Sequence, residues 1–232
     1  MPNKFDENMI VGEVVAEFPK ASDIFKSYRI DFCCNGNRPI KESALERNVS
    51  TEKIIAELNN LYEEKENDSS SQHNWNSASI TELINRIIDK HHRYLEEELP
   101  QLSPYVTKVM RVHGQAHPEL IQVHKLFNTL KADLEEHLMG EETELFPSFL
   151  AFEHDPSNSN RDKIVNILEA TKNEHETAGD ILKELRTVTN NFTPPLGACR
   201  TYQLVFNRLE ELESDLFEHI HLENNILFNK IS

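Results

Sequence analysis

Asp133-Leu134-Glu135-Glu136-His137-Leu138-Met139-Gly140-Glu141 recurs in this chain as Asp215-Leu216-Phe217-Glu218-His219-Ile220-His221-Leu222-Glu223. Four residues beyond each final glutamate comes a Leu-Phe pair, Leu145-Phe146 and Leu227-Phe228. Both copies read D-L-x-E-H-x-x-x-E-x-x-x-L-F, and their histidines lie 82 positions apart, from 137 to 219. His92 and His175 form a second pair, 83 positions apart. The separations within each half also agree, 45 from His92 to His137 and 44 from His175 to His219. The pattern is that of a duplicated helical hairpin.

The turns support this reading. In an antiparallel bundle with all four histidines at one level, each turn lies midway between successive histidines. Those midpoints fall at about 114, 156 and 197, roughly 30 Å from the histidine level at 1.5 Å rise per residue. Breaks rich in Gly and Pro occupy all three places: His113-Gly114-Gln115-Ala116-His117-Pro118, Asp155-Pro156-Ser157-Asn158 and Thr193-Pro194-Pro195-Leu196-Gly197. The spacing therefore predicts an all-α, up-down four-helix bundle. Its helices run over about 79–99, with an irregular continuation past Pro100 and Pro104, then 118–152 kinked at Pro147, 161–189 and 198–230.

Helical phase puts the polar ligand types on apolar faces. His137 and Glu141 fall with Leu126, Leu130, Leu134 and Leu145. His219 and Glu223 fall with Leu209, Leu212, Leu216 and Ile226, and His175 with Ile164, Leu168 and Leu182. Each H-x-x-x-E pair is i and i+4, so both side chains share one face. Phase favours His91 as the fourth histidine and repeat spacing favours His92. Two buried carboxylates facing imidazoles need a compensating charge. Cations supply it, each glutamate bridging two ions and the imidazoles capping them in pairs; such ligands suit iron, manganese or zinc. This ligation leaves room for an oxo or hydroxo bridge and an open position for a small ligand.

The remaining histidines are expected elsewhere: His124 and His154 at the surface, His113 and His117 beside a turn, His221 pointing away from the site, and His73 in a linker. Glu174, just before His175, reads either as an acid supporting a ligand histidine or as a solvent-facing charge, with the second preferred.

Residues 1–62 read as a small unit of short helices, 63–78 as a polar linker and 79–232 as the bundle. Within the first, Asp31-Phe32-Cys33-Cys34-Asn35-Gly36-Asn37-Arg38-Pro39 is a loop by its Gly, Asn and Pro content. Cys33 and Cys34 are a candidate soft-ligand or redox pair, since adjacent thiols do not pair without strain. Cys199 opens a helix as a structural residue. Three cysteines make no disulfide framework and fit a reducing compartment. A net charge of −16 argues against nucleic-acid and anionic-membrane binding. No apolar run reaches the roughly 20 residues of a membrane span, and the acidic N-terminus does not resemble a signal peptide. A cytoplasmic location is expected.

The double-cysteine loop, the His92 helix ending in Leu99-Pro100, His137-x-x-x-Glu141-Glu142, Glu174-His175-Glu176 and His219-x-x-x-Glu223-Asn224-Asn225 together resemble the iron–sulfur cluster repair di-iron family. The resemblance spans nearly the whole chain. It implies a small N-terminal helical domain followed by a hemerythrin-like di-iron bundle. It implies two iron ions per chain, oxo- or hydroxo-bridged, on His92, His137, Glu141, His175, His219 and Glu223, and so selects His92 over His91. Asp133 and Glu174 fall where acidic residues would line access to the metals. Repair of clusters damaged by oxidative and nitrosative stress is the implied role, by iron supply or nitric-oxide chemistry. Implied partners are proteins with damaged clusters, a second copy of the chain, and nitric oxide or oxygen. A hemerythrin-type oxygen or nitric-oxide binder or sensor is the alternative, and a metal-free interaction bundle a third reading. Iron donation is not a conventional enzyme activity, and no catalytic residue is assigned.

Overall fold

The computed structural model describes residues 4–66 and 75–231. The centre of the expected linker, with His73, lies outside the described residues. The chain forms two compact units, Met1–Ser79 with Phe217–Ser232, and Ile80–Leu216. Every regular element longer than an isolated bridge is helical among the described residues.

The first unit contains α1 (Val11–Glu17), α2 (Ala21–Ser27), α3 (Ile40–Glu46) and α4 (Thr51–Glu66). Pro19 lies just beyond the end of α1, where a helix cannot continue, and Pro39 caps the start of α3. Ser50 Oγ accepts the Lys53 N–H at 3.1 Å, which satisfies one orphan donor of α4. Phe5, Val14, Phe25, Phe32, Ile40, Ile54 and Leu58 make the core, joined by Ile220 from the C-terminal segment. Packing thus groups Phe217–Ser232 with the N-terminal helices, although the bundle expected from the sequence runs through to 232. Lys230 Nζ fixes that segment by donating to the carbonyls of Asn76 and Ala78, each at 2.8 Å. Gly12 allows a close approach: a Cβ there would stand 2.7 Å from Asn225 Oδ1 and 3.1 Å from Gly36 O.

In the second unit α5 (Ile80–Arg86) leads through a π-helical segment, Ile87–His92, into α6 (Arg93–His113). Next come α7 (Glu119–Gly140), a second π segment (Glu141–Leu145), α8 (Phe146–His154) and α9 (Asn158–Val188). Helix α10 (Arg200–His221) starts in this unit and is followed by a third π segment, Leu222–Leu227. Helix α7 packs between α6 and α9. The Arg208 guanidinium joins α10 to Glu98 on α6 with two bonds of 2.6 Å, and Arg186 on α9 joins it to Glu213. These contacts give the expected up-down order.

One local expectation is corrected. Helix α6 runs unbroken through Pro100 and Pro104. Both prolines face solvent, where the carbonyls they free reach water, while Leu95, Leu99, Leu102, Val106 and Val109 are buried on the other side. Near Pro147, where a kink is expected, the helix passes through the π segment that ends just before it. Pro147 sits in the first turn of α8, a position where its missing N–H is tolerated.

Glu213 is 3% exposed and its carboxylate accepts from Arg186 Nε at 2.8 and 2.9 Å. Replacing Arg186 by Met leaves that charge buried without its guanidinium. Stability of the full chain, measured by urea unfolding, should fall by about 2–3 kcal/mol, below the range for a fully buried pair because Arg186 is partly exposed. An unchanged midpoint would contradict this.

Candidate metal centre

Three histidines surround Glu141 inside the second unit. Glu141 is 2% exposed, His92 0%, His175 2% and His137 8%. One carboxylate oxygen lies 3.3 Å from His92 Nε2. The other lies 3.5 Å from His137 Nε2 and 4.0 Å from His175 Nε2. The two Nε2 atoms of His137 and His175 approach to 3.2 Å.

The outer ring nitrogens explain the direction of the inner ones. His92 Nδ1 is 2.7 Å from Glu142 Oε1, and His137 Nδ1 is 2.7 Å from Glu174 Oε2. A carboxylate accepts, so each Nδ1 donates outward and each Nε2 is turned inward toward the oxygens of Glu141. A cation displacing any proton there would be held between the inner nitrogens and that carboxylate. Atoms bonded to one ion at about 2.1 Å, at angles of 90–110°, stand about 3.0–3.4 Å apart. The observed 3.2, 3.3 and 3.5 Å match that spacing, and the donor set is that of iron, manganese or zinc. The residues fit a metal.

Backbone geometry brings His92, and not His91, beside Glu141. Arg93 N–H bonds to Ile88 O, an i→i−5 link that widens the turn by one residue. In an α-helix His91 stacks over buried Ile87; in the widened turn His92 comes close to that direction. His91 is also fully buried, but its Nδ1 lies 2.9 Å from Asp215 Oδ1. The same i→i−5 link recurs at Phe146 to Glu141 and Phe228 to Glu223. It explains why both residues of each Leu-Phe pair are buried, and Phe146 stacks on the His92 ring at 5.4 Å.

In the first unit His219 and Glu223 are 1% and 0% exposed, with His219 Nε2 and Glu223 Oε1 3.0 Å apart. Also in this unit, Asp31, Cys33 and Cys34 cluster. His221 is buried and its Nδ1 lies 3.4 Å from Phe32 O; burial pushes its imidazole down to about 4, so it is neutral at physiological pH.

Other expectations meet mixed outcomes. Glu174 is more than half exposed, yet its carboxylate is engaged by His137 rather than free in solvent. Sequence reasoning ranked such a supporting role for Glu174 second, and missed that of Glu142 toward His92. The clue was present, since each acid adjoins a ligand candidate. Asp133 is exposed. His154 is exposed, whereas His124 is half-buried, with Thr107 Oγ1 3.2 Å from its Nε2. His113 and His117 flank their turn and pack edge-on to Tyr202. Cys199 is exposed just ahead of α10, 3.3 Å from His113 Nε2. No described helix is long and apolar enough to cross a membrane.

Residues 83–231 match the sequence model of the hemerythrin HHE cation binding domain, and residues 7–62 that of ScdA_N, a domain of unknown function. The chain is 37% identical to the iron–sulfur cluster repair protein ScdA of Staphylococcus haemolyticus, over 96% of this chain and 97% of that protein. It is 33% identical to ScdA of Staphylococcus epidermidis over the same shares. It is 34% identical to the iron–sulfur cluster repair protein YtfE of Escherichia coli, over 94% of each chain.

The acids behind the histidines yield a test. Glu142→Gln and Glu174→Gln remove the charges that fix the ring tautomers. Each should lower metal affinity about 10–100-fold in chelator competition, with the helical circular dichroism unchanged. Affinity equal to that of the unaltered protein would contradict the assignment.

Proposed function

The chain belongs to the family of iron–sulfur cluster repair proteins that includes ScdA and YtfE, and from that membership we propose that it is a di-iron protein supplying iron to damaged clusters. The observation that carries the reading is Glu141, buried among three imidazoles whose Nε2 atoms are turned toward it. In this proposal His219 and Glu223, the second H-x-x-x-E copy, complete the centre. The four imidazoles would cap two irons in pairs, and the two glutamates would supply the bridging carboxylates. The hemerythrin model spans all six residues, which supports treating them as one set. When bound, the two irons would supply exchangeable metal and open positions for nitric oxide or oxygen.

The chain's own residues hold and orient. Glu142 and Glu174 keep protons on the outer ring nitrogens of His92 and His137, so that the inner nitrogens remain ligands. Glu174 also leaves more than half of its side chain to solvent, so a carboxylate reaches from the buried histidine to the surface. An acidic surface favours the approach of cations over anions. A plain gas carrier would need no counterpart of residues 7–62, whose match to ScdA_N favours repair over gas binding. Oxidative and nitrosative stress as the setting, the cytoplasm as the place and a homodimer as the working form are inferred from the family resemblance alone.

The protein from iron-rich medium should contain about two iron per chain, the complement of a di-iron bundle. Glu141→Leu and Glu223→Leu should each retain less than half of it. Stoichiometric iron-loaded protein, with cysteine and sulfide, should restore activity to an enzyme stripped of its cluster, and the Glu141→Leu protein should not. Iron that is bound but never transferred would overturn the donor reading.

A further inference from the structure

The double-cysteine loop takes no part in the centre described above. Asp31 Oδ1 accepts the backbone N–H groups of Cys33, Cys34 and Asn35 at 3.2, 3.0 and 3.3 Å, and so folds the loop around its own carboxylate. Both thiols turn to the same side. Their Sγ atoms are 3.6 Å apart, and Cys33 Sγ is 3.4 Å from Asp31 Oδ1. Neither is in a disulfide. A disulfide needs about 2.05 Å between its sulfurs. Two thiolates on one tetrahedral ion, each at about 2.3 Å, stand about 3.8 Å apart. The observed spacing is close to the second value and far from the first.

The loop is braced from behind. Asn224 Nδ2 donates to Cys33 O at 3.2 Å, and Asn225 Nδ2 donates to Phe32 O at 3.1 Å and Cys33 O at 3.3 Å. Gly12 N–H holds Gly36 O at 2.7 Å. The thiols are therefore presented on a fixed frame, Cys33 buried and Cys34 half-buried. The adjoining Cys34 thiol, burial and the Asp31 charge hold the Cys33 thiol well above the usual range.

We propose that Asp31, Cys33 and Cys34 form a second, exchangeable site for one borderline-soft divalent cation, zinc or ferrous iron, distinct from the histidine–glutamate centre. As the cation binds, the two thiols release their protons to solvent and no electron is transferred. Three protein ligands leave a fourth position open for water or an incoming ligand. An open position suits a site that passes a metal on, whereas a closed one stores it. All three ligands lie within the first unit, so the site does not depend on the iron-donor reading.

The test uses the full chain with its iron centre filled, in a Cys199→Ser background that silences the third thiol. Titration with Co2+ should give a thiolate-to-cobalt absorption band that saturates at one equivalent and is displaced by Zn2+. Bound metal should slow alkylation of Cys34 at least about tenfold. The Cys33→Ser/Cys34→Ser protein should show no band. Asp31→Asn keeps an acceptor oxygen for the loop but loses the charge, and should weaken Co2+ binding on the order of tenfold. Glu141→Leu should leave the band unchanged, which separates failure here from failure of the iron centre. Absence of the band in the folded protein, or its survival in the double serine protein, would overturn the proposal.

Discussion

A carboxylate sealed among imidazoles is the constraint around which the bundle is arranged. Removing the Glu141 charge from water costs several kcal/mol unless something of opposite sign meets it. Glu142 and Glu174 hold the outer nitrogens of His92 and His137, so the inner nitrogens face Glu141. A bound cation would supply the compensating charge and would link metal binding to folding. The apolar faces of α6, α7 and α9 exclude water, and low dielectric strengthens both the penalty and its relief.

Much of this was legible in the chain because duplication leaves a pattern no single helix can show. Two D-L-x-E-H-x-x-x-E copies, two further histidines and three turns at the midpoints agree on one bundle. Periodicity failed where the backbone departs from the α-helix. Phase at 100° per residue points His91 inward, but the π turn at Ile87–His92 adds a residue and brings in His92. No composition rule announces such a turn. Pro100 and Pro104 misled in the opposite sense: a proline on the wet side of a helix with a well-buried opposite face bends it little. The role of Glu142 was hidden, and that of Glu174 ranked second, because an acid beside a ligand on an exposed face reads as one more solvated charge.

The two copies have diverged, and the differences show what each carries. In the first, Met139 is 62% exposed and Gly140 faces solvent. At the matching positions of the second stand His221 and Leu222, both buried. Glu142 and Thr143 are replaced by Asn224 and Asn225, whose amides hold the carbonyls of the double-cysteine loop. Ile220 joins the core of Phe25 and Phe32. One face of the second copy thus keeps the His219–Glu223 pair, while its other residues support the N-terminal helices. Grouping by packing sets Phe217–Ser232 with the first unit for this reason, although the sequence repeat places them in the bundle.

Anomalous diffraction from iron-loaded crystals, collected on either side of the iron absorption edge, addresses the central claim directly. The account requires two iron peaks about 3–4 Å apart, both within bonding reach of Glu141, one beside His92 and the other beside His137 and His175. A buried Glu141 with no anomalous density beside it, or iron found only on surface carboxylates, would contradict it.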